Sequence, residues 1–252
     1  MSIKDIVQKV KGCVIDAGDF VLSKNESFGA VRFKGLKNPQ TDVDVVTESM
    51  LIESLSKILP KAGFILEEHP SVKKDGYNWV IDSIDGTKLY STHFPLFFTQ
   101  VALFDHDEVV LSVIYNPLSK QIFHGYKGGG SYLNDERITL QYDGPLSEAI
   151  VNLEVGYIGK DKSKQKLIKT LGENVHRLLI LSTINRPYIL TNTVQAYIRY
   201  YGVDYDYDLV PARLLVQEAG GVCHIHKVND INMHISGHPQ TVSEIEKLLD
   251  ID

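Results

Sequence analysis

The chain has 252 residues, of which 43% are hydrophobic and 23% charged, with a formal net charge of -6. This composition excludes disorder for the bulk of the chain, because a chain of this size and apolar content can bury about 70–75% of its unfolded surface. The acidic balance argues against binding a nucleic-acid polymer by bulk electrostatics.

The first half of the chain is predicted to combine two helices with an antiparallel sheet. Apolar residues at spacings of three and four indicate amphipathic helices over residues 3–22 and 45–59. Pro60 ends the second helix. Apolar and alternating runs predict strands at residues 64–66, 79–81, 96–104, 109–115, 120–126 and 131–133.

The second half alternates between strands and helices. Strands are predicted at residues 149–154, 177–182 and 222–226, and helices at residues 161–173, 186–196, 209–219 and 241–249. The two halves together predict an α+β fold class. Because turn residues occupy positions 143–145, we expect a boundary there, with subdomains at 1–143 and 144–252.

Cysteine usage and the N-terminal sequence favour the cytoplasm. Cys13 and Cys223 are far apart and do not suggest a disulfide framework. The sequence MSIKDIVQKVKG lacks the apolar segment of a signal peptide. The longest apolar stretch, residues 94–104, is shorter than the roughly 20 residues of a membrane helix. We therefore expect a cytoplasmic protein that does not associate with membranes.

Residues 79–87, WVIDSIDGT, carry the clearest chemical signal. An apolar strand ends at two carboxylates, Asp82 and Asp85, with the Ile84 carbonyl between them, and hard oxygen ligands of this kind suit Mg²⁺ or Mn²⁺. Gly86 allows a tight turn, and its amide and that of Thr87 can bind an anion if they open a helix. The alternative is a loop in which both carboxylates only accept backbone hydrogen bonds.

Two further acidic turns favour a shared site. Glu67 and Glu68 follow the strand predicted at 64–66, and Asp208 opens the helix that carries EAGG at 218–221. Alone, the glutamates would be read as a solvated turn and Asp208 as a helix N-cap. Three acidic turns at the ends of hydrophobic elements instead indicate a common cation site.

These segments resemble the inositol monophosphatase family, part of a lithium-sensitive, Mg²⁺-dependent phosphatase superfamily. The resemblance rests on Glu67-Glu68, WVIDSIDGT at 79–87, and YD at 207–208 with EAGG at 218–221. TDVD at 41–44 and KGGGSYLN at 127–134 also fit. The resemblance implies a layered αβαβα sandwich of the inositol monophosphatase and fructose-1,6-bisphosphatase type, and a homodimer.

The resemblance also implies a site. Two or three Mg²⁺ ions, or Mn²⁺, would be held by Glu67, Asp82, the Ile84 carbonyl, Asp85 and Asp208. The attacking water would be positioned by Glu67, Thr87 and Asp44. Residues 1–143 would thus carry most metal ligands, and residues 144–252 would carry Asp208 and the substrate wall.

The residues predicted to bind substrate match the family pattern less closely than the predicted metal ligands do. Gly86, Thr87 and Lys88 would contact the phosphate, and DGTK at 85–88 resembles nucleotide bisphosphate phosphatases. Ser182 and Thr183 stand where the family usually has small residues, and Ser83 where it usually has proline. Where inositol phosphatases tend to carry an acid, this chain has Arg199, whose fork suits a second anionic group. The alternative for Arg199 is a surface pair with Asp204 or Asp206.

The sequence therefore predicts an Mg²⁺-dependent phosphomonoesterase that is similar to inositol monophosphatase and acts on a small phosphorylated alcohol. The alternatives are a nucleotide 3'(2'),5'-bisphosphate phosphatase, a histidinol-phosphate phosphatase, and a catalytically silent relative that binds metal and phosphate. Separately, His224 and His226 lie on one face of a predicted strand, as half of a zinc site would. Because the sequence indicates no third ligand, they are interpreted as surface histidines.

Overall fold

The computed structural model describes residues 2–25, 32–34, 38–181, 187–200, 206–228 and 230–251. The chain divides into two compact units: Met1–Arg137 with Tyr205–Leu215, and Ile138–Asp204 with Val216–Asp252. The subdomain boundary at residue 143 stays a prediction. The compact units divide after Arg137, and Asp208 falls in the first unit and not with the second half of the chain.

Helices and strands occur in both units. The helices among the described residues are α1 (Ile3–Lys24), α2 (Asp42–Ile58), α3 (Thr87–Tyr90), α4 (Lys162–Asn174), α5 (Pro187–Leu190), α6 (Asp206–Glu218) and α7 (Pro239–Leu249). The strands are β1 (Arg32–Lys34), β2 (Asn38–Gln40), β3 (Gly63–Leu66), β4 (Tyr77–Asp85), β5 (Phe98–Asp105), β6 (Glu108–Asn116), β7 (Gln121–Tyr126), β8 (Gly130–Leu133), β9 (Glu136–Ile138), β10 (Ile150–Glu154), β11 (Arg177–Leu179), β12 (Ala196–Arg199), β13 (Val222–Val228) and β14 (Ile231–Gly237).

The first unit contains a seven-stranded sheet in the order β3-β4-β5-β6-β7-β8-β9. Strands β3 and β4 are parallel, and the pairs from β4 to β8 are antiparallel. Strand β4 is buried from Asn78 to Asp85. A strand that is covered on both faces reads as a continuous apolar run, which explains the sequence WVI.

Helices α1 and α2 cover one face of this sheet. In α1, the apolar side chains recur every three or four residues and are buried, as in Val7, Val10 and Val14. They pack with Leu51 and Leu55 of α2 in one cluster. The cluster also contains the β4 and β5 residues Trp79, Ile81, Val101 and Leu103. The opposite face of β4 and β5 carries Val80 and Ala102, which pack with Val210 of α6.

The second unit contains a five-stranded mixed sheet in the order β11-β10-β12-β14-β13. Strand β10 is parallel to β11 and β12, whereas β14 is antiparallel to both of its neighbours, β12 and β13. Its core gathers apolar residues of the sheet with those of α4 and α7, including Leu171, Val242 and Ile245.

The predicted helix over residues 186–196 is wrong. In its place, α5 makes a single turn and β12 begins at Ala196. Asn192 has a left-handed backbone with φ of 56°, which no α-helix can continue through. The Gln195 amide donates to the Ile150 carbonyl at 2.8 Å, so the chain already pairs with the sheet there.

Strand β14 has no counterpart in the sequence prediction. Its buried residues Met233 and Ile235 alternate with polar ones, but only the neighbouring strands fix this short pattern as a strand. The other predicted helices and strands are confirmed, with ends that differ by a few residues. No helix in the described part of the chain is both long and apolar enough to cross a membrane.

Candidate active site

A β-bulge at the end of β4 brings Asp82 and Asp85 to one face of the sheet. Asp82 pairs with Gln100 and Asp85 with Phe98, so two residues of β4 lie opposite one residue of β5. In a regular strand, residues three apart point to opposite faces. The extra residue of the bulge cancels this alternation. Both carboxylates, 2% and 7% exposed, therefore lie on the face opposite α1 and α2.

Two other chain segments bring carboxylates to this place. Leu66 pairs with Ile81 in the parallel β3–β4 ladder, so Glu67 follows β3 where Asp82 continues β4. Val210 packs on Val80, two residues before Asp82, which places the start of α6 and Asp208 on the same face. Burial raises the pKa of Asp82 well above its usual range, and the charges of Glu67, Asp85 and Asp208 raise it further. The four predicted carboxylate ligands thus interact electrostatically.

The buried Asp82 carboxylate suits a cation. Its Oδ2 accepts a hydrogen bond from Gln100 Nε2 at 3.1 Å. Its Oδ1 has no hydrogen-bond partner among the described residues, although it is inaccessible to water. A buried carboxylate with an unused oxygen and like-charged neighbours costs stability unless a cation compensates it. Hard oxygen donors of this kind are the ligands that Mg²⁺ prefers.

Asp44 and Thr87 form a buried pair. The Thr87 hydroxyl lies 3.0 Å from Asp44 Oδ1 and 3.0 Å from the Ile84 carbonyl oxygen. Asp44 also closes a capping box at the start of α2, because its Oδ2 accepts from the Thr41 amide at 2.7 Å and the Thr41 hydroxyl at 2.6 Å. The structure therefore starts this helix at Asp42, three residues before the predicted position.

Burial raises the pKa of Asp44 to about 6, although the hydrogen bonds from Thr41 oppose the shift. The negative charge of Glu68 adds to the increase, and the hydrogen bond from Thr87 opposes it. A carboxyl group that titrates near neutral pH can accept a proton and release it again during a reaction.

Ser83 stands where the family that the sequence resembles usually has proline, and hydrogen bonds hold it at both its hydroxyl and its carbonyl. Its hydroxyl donates to the Asp44 carbonyl at 3.0 Å, and its own carbonyl accepts from the Thr99 hydroxyl at 2.9 Å. The side chains of Ser83 and Thr99 are fully buried. Hydrogen bonds therefore fix the bulge in this chain without a proline.

Sequence reasoning missed Glu48, which organises the turn that carries Glu67. The fully buried Glu48 carboxylate accepts from the Glu67 amide at 2.9 Å, the Glu68 amide at 3.1 Å and the His69 amide at 2.8 Å. His69 Nδ1 lies 2.6 Å from the same carboxylate. A charged residue in the middle of an amphipathic helix normally faces solvent. The position of Glu48 one helical turn beyond Asp44 is the one sequence feature that could have indicated its role.

The predicted phosphate-binding residues follow the bulge directly. Gly86 has φ of 99°, a left-handed conformation that favours glycine, and it caps the short helix α3. The first amides of a helix have no partner within it. Thr87 is buried, whereas Lys88 is exposed on α3.

The remaining predicted substrate residues belong to the second unit. Ser182 and Thr183 lie outside the described residues. Arg199 on β12 is 2% exposed, so the surface alternative for this residue is wrong. It lies directly opposite Glu154 of β10 and His234 of β14 in the ladder. Asp204, one of the two partners considered for it, lies outside the described residues.

The fold and the acidic site define a mixed α/β protein with the charge pattern of a metal-dependent phosphatase. The model of the inositol monophosphatase family matches residues 7–246. The chain therefore belongs to the inositol monophosphatase family.

Curated relatives and solved structures agree with this assignment. The chain is 29% identical over 266 residues to an inositol monophosphatase of Dictyostelium discoideum, covering 99% of this chain and 96% of the relative. It is 28% identical over 191 residues to the Nus factor SuhB of Xylella fastidiosa, covering 73% of this chain and 68% of that protein.

Solved structures share the fold at lower identity. The extragenic suppressor protein SuhB of Bartonella henselae superposes with a TM-score of 0.88 at 21% identity, covering 97% of this chain and 98% of that one. The inositol monophosphatase of Thermotoga maritima gives a TM-score of 0.86 at 22% identity, covering 98% and 97%. The predicted fold class is confirmed: the fold is that of the family, with two mixed sheets flanked by helices.

Proposed function

We propose that the chain is an Mg²⁺-dependent phosphomonoesterase that hydrolyses a small phosphorylated alcohol, in the manner of inositol monophosphatases. The observation that carries the proposal is the buried Asp82 carboxylate, whose Oδ1 has no hydrogen-bond partner among the described residues and whose charge interacts with those of Glu67, Asp85 and Asp208. Family membership supports the reaction class, and the inositol monophosphatase among its relatives supports the type of substrate.

Five groups would hold the cations: Glu67, Asp82, the Ile84 carbonyl, Asp85 and Asp208. Bound Mg²⁺ would neutralise the phosphate, activate a water molecule and stabilise the leaving oxygen. The protein's part is to fix the carboxylates before substrate binds. The bulge, the Gln100 hydrogen bond and the Glu48 carboxylate would all serve this purpose.

Thr87 and Asp44 would orient the attacking water. With its proton directed to Asp44 Oδ1, the Thr87 hydroxyl oxygen can accept a hydrogen bond from water. Glu67 would accept a second hydrogen bond from the same water. Because both protons of the water would then be engaged, a lone pair of its oxygen would be available to attack phosphorus, and no covalent intermediate with the chain is required. The amides of Gly86 and Thr87, with Lys88, would contact the phosphate oxygens.

The homodimer and the cytoplasmic location belong to the same proposal. Family membership supports the homodimer, and the two widely separated cysteines support the cytoplasmic location. Light scattering of the purified chain with size-exclusion chromatography tests the dimer directly.

Phosphate release from a panel of monoesters tests the function. Inositol 1-phosphate, a nucleoside 3',5'-bisphosphate and histidinol phosphate should be compared with Mg²⁺ and with EDTA. Release that requires Mg²⁺ supports the proposal, and the preferred substrate separates the three phosphatase alternatives. No release from any member would favour the catalytically silent relative.

A matched pair of variants ties the activity to the site. Thr87→Val removes the hydroxyl next to Asp44 and should lower kcat by about 100-fold or more, the scale of a positioned proton-transfer group. Thr139→Val makes the same change at an exposed threonine of the second unit and should leave kcat unchanged. Equal kcat values for both variants would show that the Thr87 hydroxyl has no role in the mechanism.

A further inference from the structure

Two histidines and a glutamate converge in the second unit, and none of the three belongs to the candidate active site. His224 and His226 lie two apart on β13, so their side chains share one face of the strand. Glu246 lies near the end of α7. His224 Nδ1 and His226 Nε2 each lie 2.7 Å from Glu246 Oε1. The third ligand that the sequence did not indicate is therefore supplied by a different element.

We infer that His224, His226 and Glu246 form a binding site for a transition-metal ion, with Zn²⁺ as its occupant. The three ligand atoms, one from each residue, all lie within 4.8 Å of one another. Within the part of the chain that the structure describes, this is the one group of histidine, cysteine or acidic side chains whose ligand atoms lie so close together. Two imidazoles and one carboxylate are a donor set that zinc uses in proteins.

The ligand geometry is close to that of a zinc site. Metal–ligand bonds of about 2.0–2.2 Å at tetrahedral angles require ligand atoms roughly 3.3–3.5 Å apart. The two nitrogen–oxygen distances of 2.7 Å are those of hydrogen bonds, so each must lengthen by about 0.6–0.8 Å. Rotation of the Glu246 side chain is sufficient for this change, since the carboxylate ends a flexible stem.

The surroundings suit an ion that enters from solvent. The His224 side chain is 46% exposed, whereas His226 and Glu246 are 15% and 16% exposed. Water can therefore fill the fourth coordination position, and the two less exposed ligands hold the ion against the protein. Imidazole nitrogen favours zinc, nickel or copper over Mg²⁺, so this site and the carboxylate site select different metals.

A zinc ion here would join the C-terminal helix to the edge of the sheet. Strand β13 is the last strand in the order of the second sheet, and α7 packs on that unit's core through Val242 and Ile245. The ion would therefore act as a structural link between β13 and α7. This inference does not depend on the proposed phosphatase function.

Zinc titration with three proteins tests the site. Wild type, His226→Gln and the control His176→Gln, which changes an exposed histidine elsewhere in the same unit, should be titrated with Zn²⁺ alone by calorimetry. Excess Mg²⁺ keeps the carboxylate site from contributing. Wild type and the control should bind one zinc ion per chain, with affinity at least about 100-fold greater than that of His226→Gln, because a direct ligand is lost.

A second measurement separates ligation from general stability. Zn²⁺ should shift the imidazole ¹⁵N resonances of His224 and His226 and raise the melting temperature of wild type, but not of Glu246→Gln. Identical zinc binding by wild type and His226→Gln, or unchanged histidine resonances, would overturn the inference and leave a hydrogen-bonded cluster. Either result is independent of whether the chain hydrolyses phosphate esters.

Discussion

The acidic cluster at Asp82 in the first unit and the acidic residues Glu154 and Glu246 of the second unit differ in what surrounds them. The first unit places like charges together, and burial, followed by the charges of the neighbouring carboxylates, raises the pKa of Asp82 well above its usual range. The second unit gives its acidic groups hydrogen-bond donors: Glu246 has two histidines and Glu154 has the Tyr197 hydroxyl. Buried like charges are unfavourable without a counter-ion, whereas partnered ones are stable alone. The first arrangement therefore indicates a ligand more strongly than the second.

The largest effect is expected at Asp85, because a substitution there directly reduces the negative charge of the acidic cluster in the first unit. Asp85→Asn keeps the shape of the side chain but removes one charge from the cluster. We expect kcat to fall at least 100-fold, because ligand charge holds the second ion. The folded structure should be retained, since loss of a buried like charge relieves repulsion. Steady-state kinetics with Mg²⁺ and thermal melting measure the two effects.

The exposed Asp75 provides the control for this variant. Its side chain is fully accessible, so Asp75→Asn changes the net charge equally without touching the cluster. Wild-type kcat is expected for it. Near wild-type activity in Asp85→Asn would show that Asp85 is structural.

The second prediction concerns Arg199, the buried cation of the second unit. If it recognises a second anionic group of the substrate, Arg199→Ala should reduce kcat/KM for a nucleoside bisphosphate by about 10- to 150-fold, or roughly 1.5–3 kcal/mol. Simple monoesters should be affected little. The ratio of the two kcat/KM values is measured because it is insensitive to the fraction of folded enzyme.

Arg199→Lys serves as the conservative control. It keeps the positive charge but loses the planar fork, so an intermediate ratio is expected. If Arg199→Ala lowers kcat/KM equally for both substrates, the role of Arg199 is purely structural, in the β10–β12 ladder.

The third prediction uses the pH dependence of stability without metal. Burial raises the pKa of Asp44 from 3.8 to about 6, so the folded state binds this proton more tightly than the unfolded state. Its contribution to stability is therefore complete below about pH 4 and is lost as the pH rises through 6. The loss is at most about 3 kcal/mol. Urea unfolding in EDTA at several pH values measures it.

Two comparisons isolate Asp44 from other titrating groups. Asp44→Asn should flatten the curve between pH 4 and 7, and saturating Mg²⁺ should reduce the slope of the wild type. A variant whose curve is parallel to that of the wild type would assign the pH dependence to other residues.

The smallest effect is expected from lithium. Li⁺ is close to Mg²⁺ in size but carries half its charge, so it should occupy the more labile of two cation positions and inhibit partially. The phosphate-release assay should be repeated with LiCl and, as a control for ionic strength, with equal NaCl. Equal rates in both salts would argue against a labile second ion, although phosphatase chemistry would remain compatible with the result.

The sequence predicted much of the fold because most elements have strong local signals. Helix α1 has a long apolar period, and α2 is followed closely by Pro60. The failures lie where local signals are weak. The segment from Pro187 to Arg199 became a helical turn and a strand because the left-handed Asn192 and the pairing with β10 overrode a weak helical period. Strand β14 is defined by its neighbours on both sides.

The sequence also predicted the chemistry of the candidate site, because acidic residues at the ends of apolar strands can be recognised without coordinates. What it could not determine is how these residues are held. Glu48, Gln100 and Thr99 are ordinary polar residues in the sequence, and they become part of the site only when α2 and β5 lie beside β4.

Tertiary structure alone decided which residues share a face. In a regular strand, the spacing between Asp82 and Asp85 would separate the carboxylates, and only the β4–β5 register, with its extra residue, brings them together. The same holds for Glu246, which lies 20 residues beyond His226 in the chain but 2.7 Å from it in space. A sequence records the type and order of side chains, whereas convergence depends on strand register and helix packing.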